Sequence, residues 1–471
     1  MSELKTRTES DSIGTMEVPA EAYYGVQTLR AKLNFPITGH SLHPKFIDAL
    51  AILKKASALT NLEIGTLDKK KADAIVAACD EILNGKWHEE FIVDPIQGGA
   101  GTSANMNANE VIANRATELL GGKPGEYLVH PNDDVNMAQS TNDVYPTAGK
   151  LTILSLLPAL LSELNRLVAS LLKKGEEFDD VVKMGRTQLQ DAVPVRLGQS
   201  FNAFAHMLQR DIARIEHASK ELCLINMGGT AIGTAVNANP DYLAHIAENI
   251  NKVGGFETAS AADLIDATQN TDAFVTISGA LKGCAVDLSK ICNDLRLLSS
   301  GPRTGISEIN LPAKQNGSSI MPGKVNPVIP EVVSQVAFNV IGNDVTVAMA
   351  SEAGQFELNA FEPVMFYNII ESVTTLTAAI GTLIDNCIDG ITANRERCTE
   401  LLEKSVGTVT ALCPYIGYKA AASLAKESLK TNIPLRQLVL QKGLMDEETL
   451  TKVLDPAKMT RPNYTNVEFK K

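Results

Sequence analysis

Five long stretches with helical periodicity constrain this chain more than any other feature. In each stretch apolar residues recur every three or four positions over about 20 to 30 residues, as on one face of a helix. Helices of that length span roughly 30 to 45 Å, and Pro158 predicts a kink in the first of them. The sequence therefore predicts a mainly α fold built on five long helices. The five stretches are 144–174, 197–226, 272–299, 329–350 and 361–387.

The apolar faces of these helices predict self-association. They are longer than the average helix of about 11 to 12 residues, and one chain of 471 residues would have difficulty covering all of them. A coiled-coil rod is the alternative, but the apolar stripe drifts at the helical period and lacks sustained heptads. A compact fold with an oligomeric helix core is the better interpretation.

The changes in pattern along the chain predict three domains. Residues 1–140 mix short helices and loops, with helical spacing at 50–65, 69–83 and 102–120. The last of these helices has Thr102 or Ser103 as its candidate N-cap. Residues 141–393 hold the long helices. Residues 394–471 turn to shorter helices broken by prolines, which predicts a small C-terminal helical domain.

Composition argues against several classes of partner. The net charge of −12 without a basic tract argues against nucleic acid and anionic membranes. No run of 18 consecutive apolar residues occurs and the N-terminus is polar, so we expect a cytoplasmic protein. The seven cysteines lack a C-x-x-C pair and are expected to be reduced. Metal-binding histidine spacings and nucleotide-binding glycine motifs are also missing, so neither a metal nor a cofactor is expected.

Residues 317–327 form the most informative polar segment, Gly-Ser-Ser-Ile-Met-Pro-Gly-Lys-Val-Asn-Pro. Its glycines and prolines predict a loop. Ser318, Ser319, Lys324 and Asn326 offer hydroxyl groups, one cation and an amide, which suit the carboxylates of a small dicarboxylate. An ordinary surface loop is the alternative, but such a loop has no use for the apolar residues in the middle of this one.

Four further polar blocks occur where the surrounding pattern is apolar or tightly turned. Residues 98–109 are typical of a glycine turn before the start of a helix, where an anion can bind. Residues 139–143 read as a polar loop, and 352–359 as a corner between helices. In 185–194 we expect Arg186 and Asp191 to form an ion pair. Taken singly, each block fits an ordinary turn or loop. The donors they supply are Thr102, Ser103, Asn105, Ser140, Thr141, Asn142, Thr187 and Gln188.

These blocks, in this order, resemble the fumarase/aspartase superfamily. The resemblance runs from Ala-Tyr-Tyr-Gly-Val-Gln-Thr-Leu-Arg at 22–30 to the C-terminal domain. It implies a three-domain fold with a central bundle of five long helices. It also implies a homotetramer with a twenty-helix core, in which three subunits supply the three blocks of each active site. The 317–327 segment would be the mobile loop that carries the general base.

Two positions favour the members of the superfamily that eliminate ammonia. Fumarases usually have His where this chain has Gln188, and tend to have Lys where it has Glu362. An ammonium leaving group is already protonated, whereas hydroxide needs an acid, so a neutral Gln188 suits ammonia. The implied reaction is the reversible deamination of L-aspartate to fumarate and ammonia, with class II fumarase as the alternative. Argininosuccinate and adenylosuccinate lyases fit less well, because their third block normally carries a catalytic His.

The resemblance also implies a mechanism, anti β-elimination through an aci-carboxylate intermediate with Ser318 as the general base. An inert structural protein, like the lens crystallins of the superfamily, is the alternative from another class, but the intact loop residues argue against it. The implied β-carboxylate ligands are Thr102, Ser140, Thr141 and Ser319. The implied α-carboxylate ligands are Thr187, Lys324 and Asn326, and the implied contacts of the amino group are Asn142 and Gln188.

Overall fold

The computed structural model describes residues 5–462, and the chain is mainly helical, as predicted. The first helices are α1 (Val26–Asn34), α2 (Pro44–Glu63), α3 (Lys69–Leu83) and α4 (Thr102–Leu119). The middle of the chain contains α5 (Thr141–Glu177), α6 (Leu197–Ser219), α7 (Pro240–Gly254), α8 (Leu264–Gln269), α9 (Asp272–Leu298), α10 (Val328–Glu352) and α11 (Glu362–Asn386). The last helices are α12 (Arg395–Lys404), α13 (Cys413–Ile416), α14 (Tyr418–Thr431), α15 (Leu435–Gln441) and α16 (Glu447–Val453).

The five long helices are α5, α6, α9, α10 and α11, and they lie where periodicity placed them. Helix α5 continues through Pro146 and Pro158, and the kink at Pro158 stays a prediction. Helix α6 ends at Ser219, so its predicted extension to 226 is wrong. The chain there forms a 3₁₀ turn at Lys220–Cys223 and then a short strand.

Within residues 5–462, eight short strands, which the sequence did not predict, form four two-stranded sheets. Three sheets are antiparallel and the pairing of β5 with β6 is parallel. The strands are β1 (Thr6–Ser10), β2 (Thr15–Pro19), β3 (Val182–Thr187), β4 (Gln190–Arg196), β5 (Leu224–Ile225), β6 (Ala259–Ser260), β7 (Ile309–Asn310) and β8 (Thr392–Ala393).

The described residues group into two compact units. The first contains the described residues up to Ser162 together with Asp211–Ala285 and Val336–Thr377. The second contains Glu163–Arg210, Val286–Gln335 and the described residues from Ala378 onward. The division into domains at 1–140, 141–393 and 394–471 stays a prediction.

An aromatic cluster in the first unit fixes the start of α5. Tyr145 is fully buried, and its ring centroid lies 5.2 Å from that of Phe46 and 5.3 Å from that of Phe366. Phe274 packs against Phe366 at 4.8 Å. Aromatic pairs at these distances stabilise a core beyond the area they bury. Because Tyr145 belongs to the first two turns of α5, this cluster also positions the residues that begin the helix.

The second unit contains the β3–β4 hairpin and a separate small core near the C-terminus. That small core joins α14, α15 and α16, as expected for short helices broken by prolines. Its buried residues are Ala411, Leu412, Leu424, Leu435, Leu438, Val439, Leu450 and Val453. All seven cysteines of the chain are free thiols and five of them are buried, as predicted.

Three helical segments of the described chain are long and apolar enough to cross a membrane, judged by length and composition. They are Thr141–Glu177, Val328–Glu352 and Glu362–Gly390. In Val328–Glu352, only 39% of the most apolar 18-residue stretch is buried within the chain. Phe338, Val345 and Met349, at helical spacing on α10, are 60%, 56% and 68% exposed. The single chain therefore leaves an apolar stripe of α10 uncovered.

Candidate active site

The first polar block is a left-handed glycine turn that ends at the start of α4. Gly101 has φ 89° and is the N-cap residue, without a side-chain cap hydrogen bond. The predicted N-cap at Thr102 or Ser103 is therefore wrong: Thr102 is the first helical residue, and its Oγ1 donates to the Gly99 carbonyl at 2.8 Å. Two of the first three backbone N–H groups of α4 are already paired: that of Thr102 donates to the Gly99 carbonyl at 3.0 Å, and that of Ala104 donates to Gln97 Oε1 at 2.9 Å.

The second polar block begins α5. Ser140 Oγ accepts the N–H of Asn142 at 3.2 Å, and Asp143 Oδ1 accepts the N–H of Ser140 at 2.9 Å. Asn105 of α4 donates through Nδ2 to Thr141 Oγ1 at 3.2 Å. Because the Thr141 oxygen accepts this bond, its own hydrogen can be donated to a ligand. The bond also brings the first and second blocks together.

A buried polar cluster supports these two blocks. Lys54 is fully buried and donates to Asn136 Oδ1 at 2.8 Å and to Gln139 Oε1 at 2.9 Å. Asn105 and Asn109 each donate to the same Asn136 oxygen at 3.2 Å. Sequence reasoning missed Lys54 and Asn136. The available signal was the pair Lys54–Lys55 inside an apolar run of α2.

Two ionisable groups of this cluster titrate outside their usual ranges. Burial lowers the pKa of Lys54 to about 7, and the charge of Asp143 opposes that effect. Burial raises the pKa of Asp143 to about 6, although its carboxylate accepts backbone N–H groups from Ser140, Gly228 and Thr230. The second block therefore contains Asp143 and contacts Lys54, and the charge of each of these buried groups changes near neutral pH.

The third polar block is the tip of the β3–β4 hairpin. Thr187 ends β3, and Gln188 and Leu189 form the two-residue turn with φ 55° and 61°. Two left-handed residues characterise a type I′ turn, which usually contains Asn or Gly. Thr187 and Gln188 are exposed and line a cavity of about 870 Å³ in the second unit.

The ion pair predicted within this block is wrong. Arg186 binds Glu308, with its Nη1 at 2.9 Å from Oε1 and 3.0 Å from Oε2. Asp191 is exposed, and it is the residue of β4 that lies opposite Arg186 in the hairpin. The partner lies far along the sequence, where no local pattern could reveal it.

The 317–327 segment is a loop between β7 and α10, as predicted. Ser318 Oγ accepts the backbone N–H groups of Ile320 at 3.1 Å and Met321 at 2.9 Å. The loop is tied at its base, because Gly317 N–H donates to Lys324 O at 2.8 Å and Asn326 Nδ2 donates to Gly317 O at 2.7 Å. Two N–H donors on one hydroxyl oxygen favour its anionic form.

Residues 319–325 of the loop are exposed, whereas Ser318 is half-buried. Ser319 and Lys324 are exposed, and Lys324 lines a cavity of about 460 Å³ together with Asn326 and Arg296. The apolar residues that seemed out of place in a surface loop are exposed too: Ile320 by 84% and Val325 by 54%. A loop of this kind can bury apolar side chains only by moving or by gaining a partner.

The ten predicted site residues fall in both units. The first unit contains Thr102, Ser140, Thr141 and Asn142, and the second contains Thr187, Gln188, Ser318, Ser319, Lys324 and Asn326. Within the second unit the hairpin and the loop line different cavities. In residues 5–462, no group of three or more His, Cys, Asp or Glu side chains could hold a metal ion.

Glu362, the second position that separated the branches of the superfamily, begins α11 and is buried. Its burial raises the pKa of the carboxyl group well above the ordinary range, and the charge of Lys150 opposes that effect. Lys150 is itself nearly buried, and its ammonium donates to the Leu224 carbonyl at 2.6 Å. The corner at 352–359 that precedes α11 connects two helices, as predicted.

Two family models match the chain. The lyase model matches residues 14–342, and the model of the fumarase C C-terminus matches residues 409–461. An aspartate ammonia-lyase from Bacillus sp. is 54% identical over 457 residues, which are 97% of this chain and 98% of that protein. The chain belongs to the aspartate ammonia-lyase family. The superfamily that the motifs resembled is therefore confirmed.

Two solved structures share the fold of this family member. A crystal structure from Brucella melitensis, described as fumarate lyase:delta crystallin bound to cobalt, has a TM-score of 0.94 and 52% identity. It covers 97% of this chain and 100% of that chain. The recombinant class II fumarase from Schistosoma mansoni has a TM-score of 0.95 at 35% identity, and covers 98% and 100% of the two chains. The fold of this chain is therefore shared with a class II fumarase.

Proposed function

We propose that the protein converts L-aspartate reversibly to fumarate and ammonia by anti β-elimination, with Ser318 as the general base. The observation that carries this proposal is the position of Ser318 Oγ, which accepts two backbone N–H groups inside the loop. A serine hydroxyl is essentially un-ionised near neutral pH, so a serine base needs donors that stabilise its alkoxide. The family membership of the chain supplies the reaction class.

The main catalytic task is to stabilise the aci-carboxylate that forms when the Cβ proton leaves. Negative charge then accumulates on the β-carboxylate, and hydrogen-bond donors aimed at it gain strength. The hydroxyl of Thr141 suits this role because Asn105 already occupies its oxygen as a donor. Removing one such donor typically costs ~3 to 4 kcal/mol of transition-state stabilisation. Thr102, Ser140 and Ser319 are the other ligands in this proposal.

The rest of the substrate would be held by the loop and the hairpin. Lys324 and Asn326 of the loop bind the α-carboxylate together with Thr187, and Lys324 supplies the charge that an acidic protein otherwise lacks. Gln188 and Asn142 contact the amino group. The loop stays open without substrate and closes over it, which excludes water and strengthens these electrostatic contacts.

A cytoplasmic homotetramer is part of the proposal. The exposed stripe of Phe338, Val345 and Met349 on α10 supports it, because an apolar face of this kind usually binds another protein surface. Since the hairpin and the loop line different cavities of one chain, an active site assembled from several subunits would bring them together.

Ultraviolet absorbance of fumarate tests the function directly. Purified protein should produce fumarate from L-aspartate and much less from L-malate at equal concentration. Fumarate from L-malate alone would instead establish the class II fumarase alternative.

Ser318→Ala tests the role of the base. Turnover should fall by about 10²- to 10⁴-fold, the usual contribution of general base catalysis, while the variant still binds fumarate. Fumarate binding, measured by calorimetry, serves as the control for an intact pocket. A turnover number within threefold of the wild type would remove Ser318 from this role.

A further inference from the structure

Two cations of one hairpin strand converge on a single buried carboxylate. Glu308 is fully buried, and its Oε2 lies 3.0 Å from Lys183 Nζ. Arg186 Nη1 binds the same carboxylate at 2.9 Å through Oε1. Lys183 and Arg186 both belong to β3, the strand that ends at Thr187. Nothing in the proposed chemistry uses these three charges.

The hairpin has a β-bulge between the positions of the two cations, and the extra residue of the bulge lies in β4. Residues three apart point to opposite faces of a regular strand. The register of the hairpin shifts between Met184 and Arg186, so that Gly185 faces two residues of β4, Ala192 and Val193. A bulge of this kind increases the local twist and redirects side chains. A Cβ at Gly185 would lie 2.6 Å from the Val193 carbonyl oxygen, so the bulge requires glycine.

Glu308 is itself fixed by its backbone. Its N–H donates to the Leu298 carbonyl at the end of α9 at 2.8 Å, and its carbonyl accepts the N–H of Asn394 at 2.9 Å. The next two residues form β7, which pairs with β8. Residues 311–316 connect β7 to the 317–327 segment that carries Ser318. The carboxylate that binds the hairpin therefore belongs to a residue whose backbone N–H and carbonyl are both paired.

The hairpin needs such an anchor because its tip is strained. Gln188 and Leu189 both have left-handed φ angles without being glycine, which an L-residue adopts only when the surrounding structure enforces it. Arg186 lies two residues before the turn. A contact between Arg186 and a fixed, buried carboxylate is well placed to hold this conformation.

We propose that Glu308 is a positioning residue for the elimination reaction. It holds β3 through Lys183 and Arg186, so that Thr187 and Gln188 keep one orientation relative to the substrate. It acts through the hairpin and does not touch the substrate. This inference rests on the proposed function, in which Gln188 contacts the amino group and Thr187 the α-carboxylate.

The best test removes Arg186 and keeps Glu308. The three groups carry two positive charges and one negative charge, so Arg186→Met leaves a neutral Lys183–Glu308 pair and no uncompensated buried charge. Arg186→Lys restores a cation beside the carboxylate. Asp180→Asn is the matched control: it breaks the exposed ion pair with Arg395, at 2.7 Å, two residues before β3.

Steady-state kinetics distinguish a role in positioning Thr187 and Gln188 from a role only in the stability of the fold. With L-aspartate, Arg186→Met should lower kcat at least tenfold at a temperature where the variant is fully folded. Arg186→Lys should recover most of that loss, and Asp180→Asn should keep wild-type kcat and KM. A folded Arg186→Met variant with kcat within twofold of the wild type would overturn the inference. An inactive wild type would count against the proposed function instead.

Amide hydrogen exchange tests the same inference without any activity. Peptides that cover residues 186–191 should exchange at least tenfold faster in Arg186→Met than in the wild type. In Asp180→Asn they should exchange at the wild-type rate. Equal exchange in all three proteins would overturn the inference whatever reaction the protein catalyses.

Discussion

Replacing Gly101 by alanine should destabilise the first unit and displace the start of α4. The φ of 89° costs an L-residue about 1 to 2 kcal/mol. A Cβ at this position would lie 2.3 Å from Cγ of Tyr145, far inside contact distance. The ring cannot retreat freely, because Phe46 and Phe366 pack against it at 5.2 and 5.3 Å. Overpacking of this kind costs about 1 to 3 kcal/mol, so the total is about 2 to 5 kcal/mol.

Gly121→Ala isolates the steric part of this effect. Gly121 has the same φ of 89°, but a Cβ there would have no neighbour within 4 Å. It should therefore pay only the conformational cost of about 1 to 2 kcal/mol. Urea unfolding of both variants at one protein concentration gives the difference, about 1 to 3 kcal/mol. Equal losses of stability in the two variants would refute the steric argument.

The same pair of variants links packing to activity. Gly101 caps the helix whose first residue is Thr102, so Gly101→Ala should also lower kcat/KM for L-aspartate. Gly121 follows the other end of α4, and its variant should keep the wild-type value. A wild-type kcat/KM in Gly101→Ala would show that the position of Thr102 does not matter for catalysis.

Two further predictions concern strain and pH. Leu189→Gly relieves a left-handed residue that is 67% exposed, so it should stabilise the protein by about 0.5 to 1 kcal/mol, and a lower urea midpoint would contradict this. The pKa of Lys54 is about 7 in the folded protein and 10.5 in the unfolded chain. Between pH 7 and 10.5 the unfolded chain therefore binds a proton at Lys54 that the folded protein has lost. Stability should then rise by up to about 1.4 kcal/mol per pH unit across that window, and Lys54→Met should abolish the rise. Asp143, raised from 3.8 to about 6, has the opposite effect: its contribution is complete below pH 3.8 and is lost as the pH rises through 6. Denaturation midpoints measured between pH 4 and 10 would check both signs.

The long helices could be predicted because their apolar period repeats over many turns. The end of α6 could not, because Leu222 continues the apolar spacing although the chain has already left the helix at Ser219. Strands of two residues, such as β5 and β7, are too short to show any alternation. The apolar pattern thus predicted that the long helices exist. It did not predict where they end, because the ends depend on local backbone geometry that the pattern does not contain.

The candidate site was only partly visible in the sequence, because its supporting contacts are not local. The loop at 317–327 could be identified, since its glycines, prolines and polar residues lie close together in the sequence. The hairpin tip gave no turn signal, because Gln188 and Leu189 replace the usual Asn and Gly. Arg186 was assigned to nearby Asp191, whereas its partner Glu308 lies 122 residues away. The catalytic and binding roles of the ten site residues stay predictions until variants are measured.

The tied base of the Ser318 loop bears on the entropy of closure. Fixing the backbone of one residue costs about 1 to 2 kcal/mol at room temperature. A flexible loop without such ties would incur this entropic cost for each residue that becomes ordered over the substrate. Here the hydrogen bonds from Gly317 to Lys324 and from Asn326 to Gly317 already restrict the intervening chain. In the proposed closure the loop would move about its two ends as one piece, and more of the substrate's binding energy would then remain to lower the barrier.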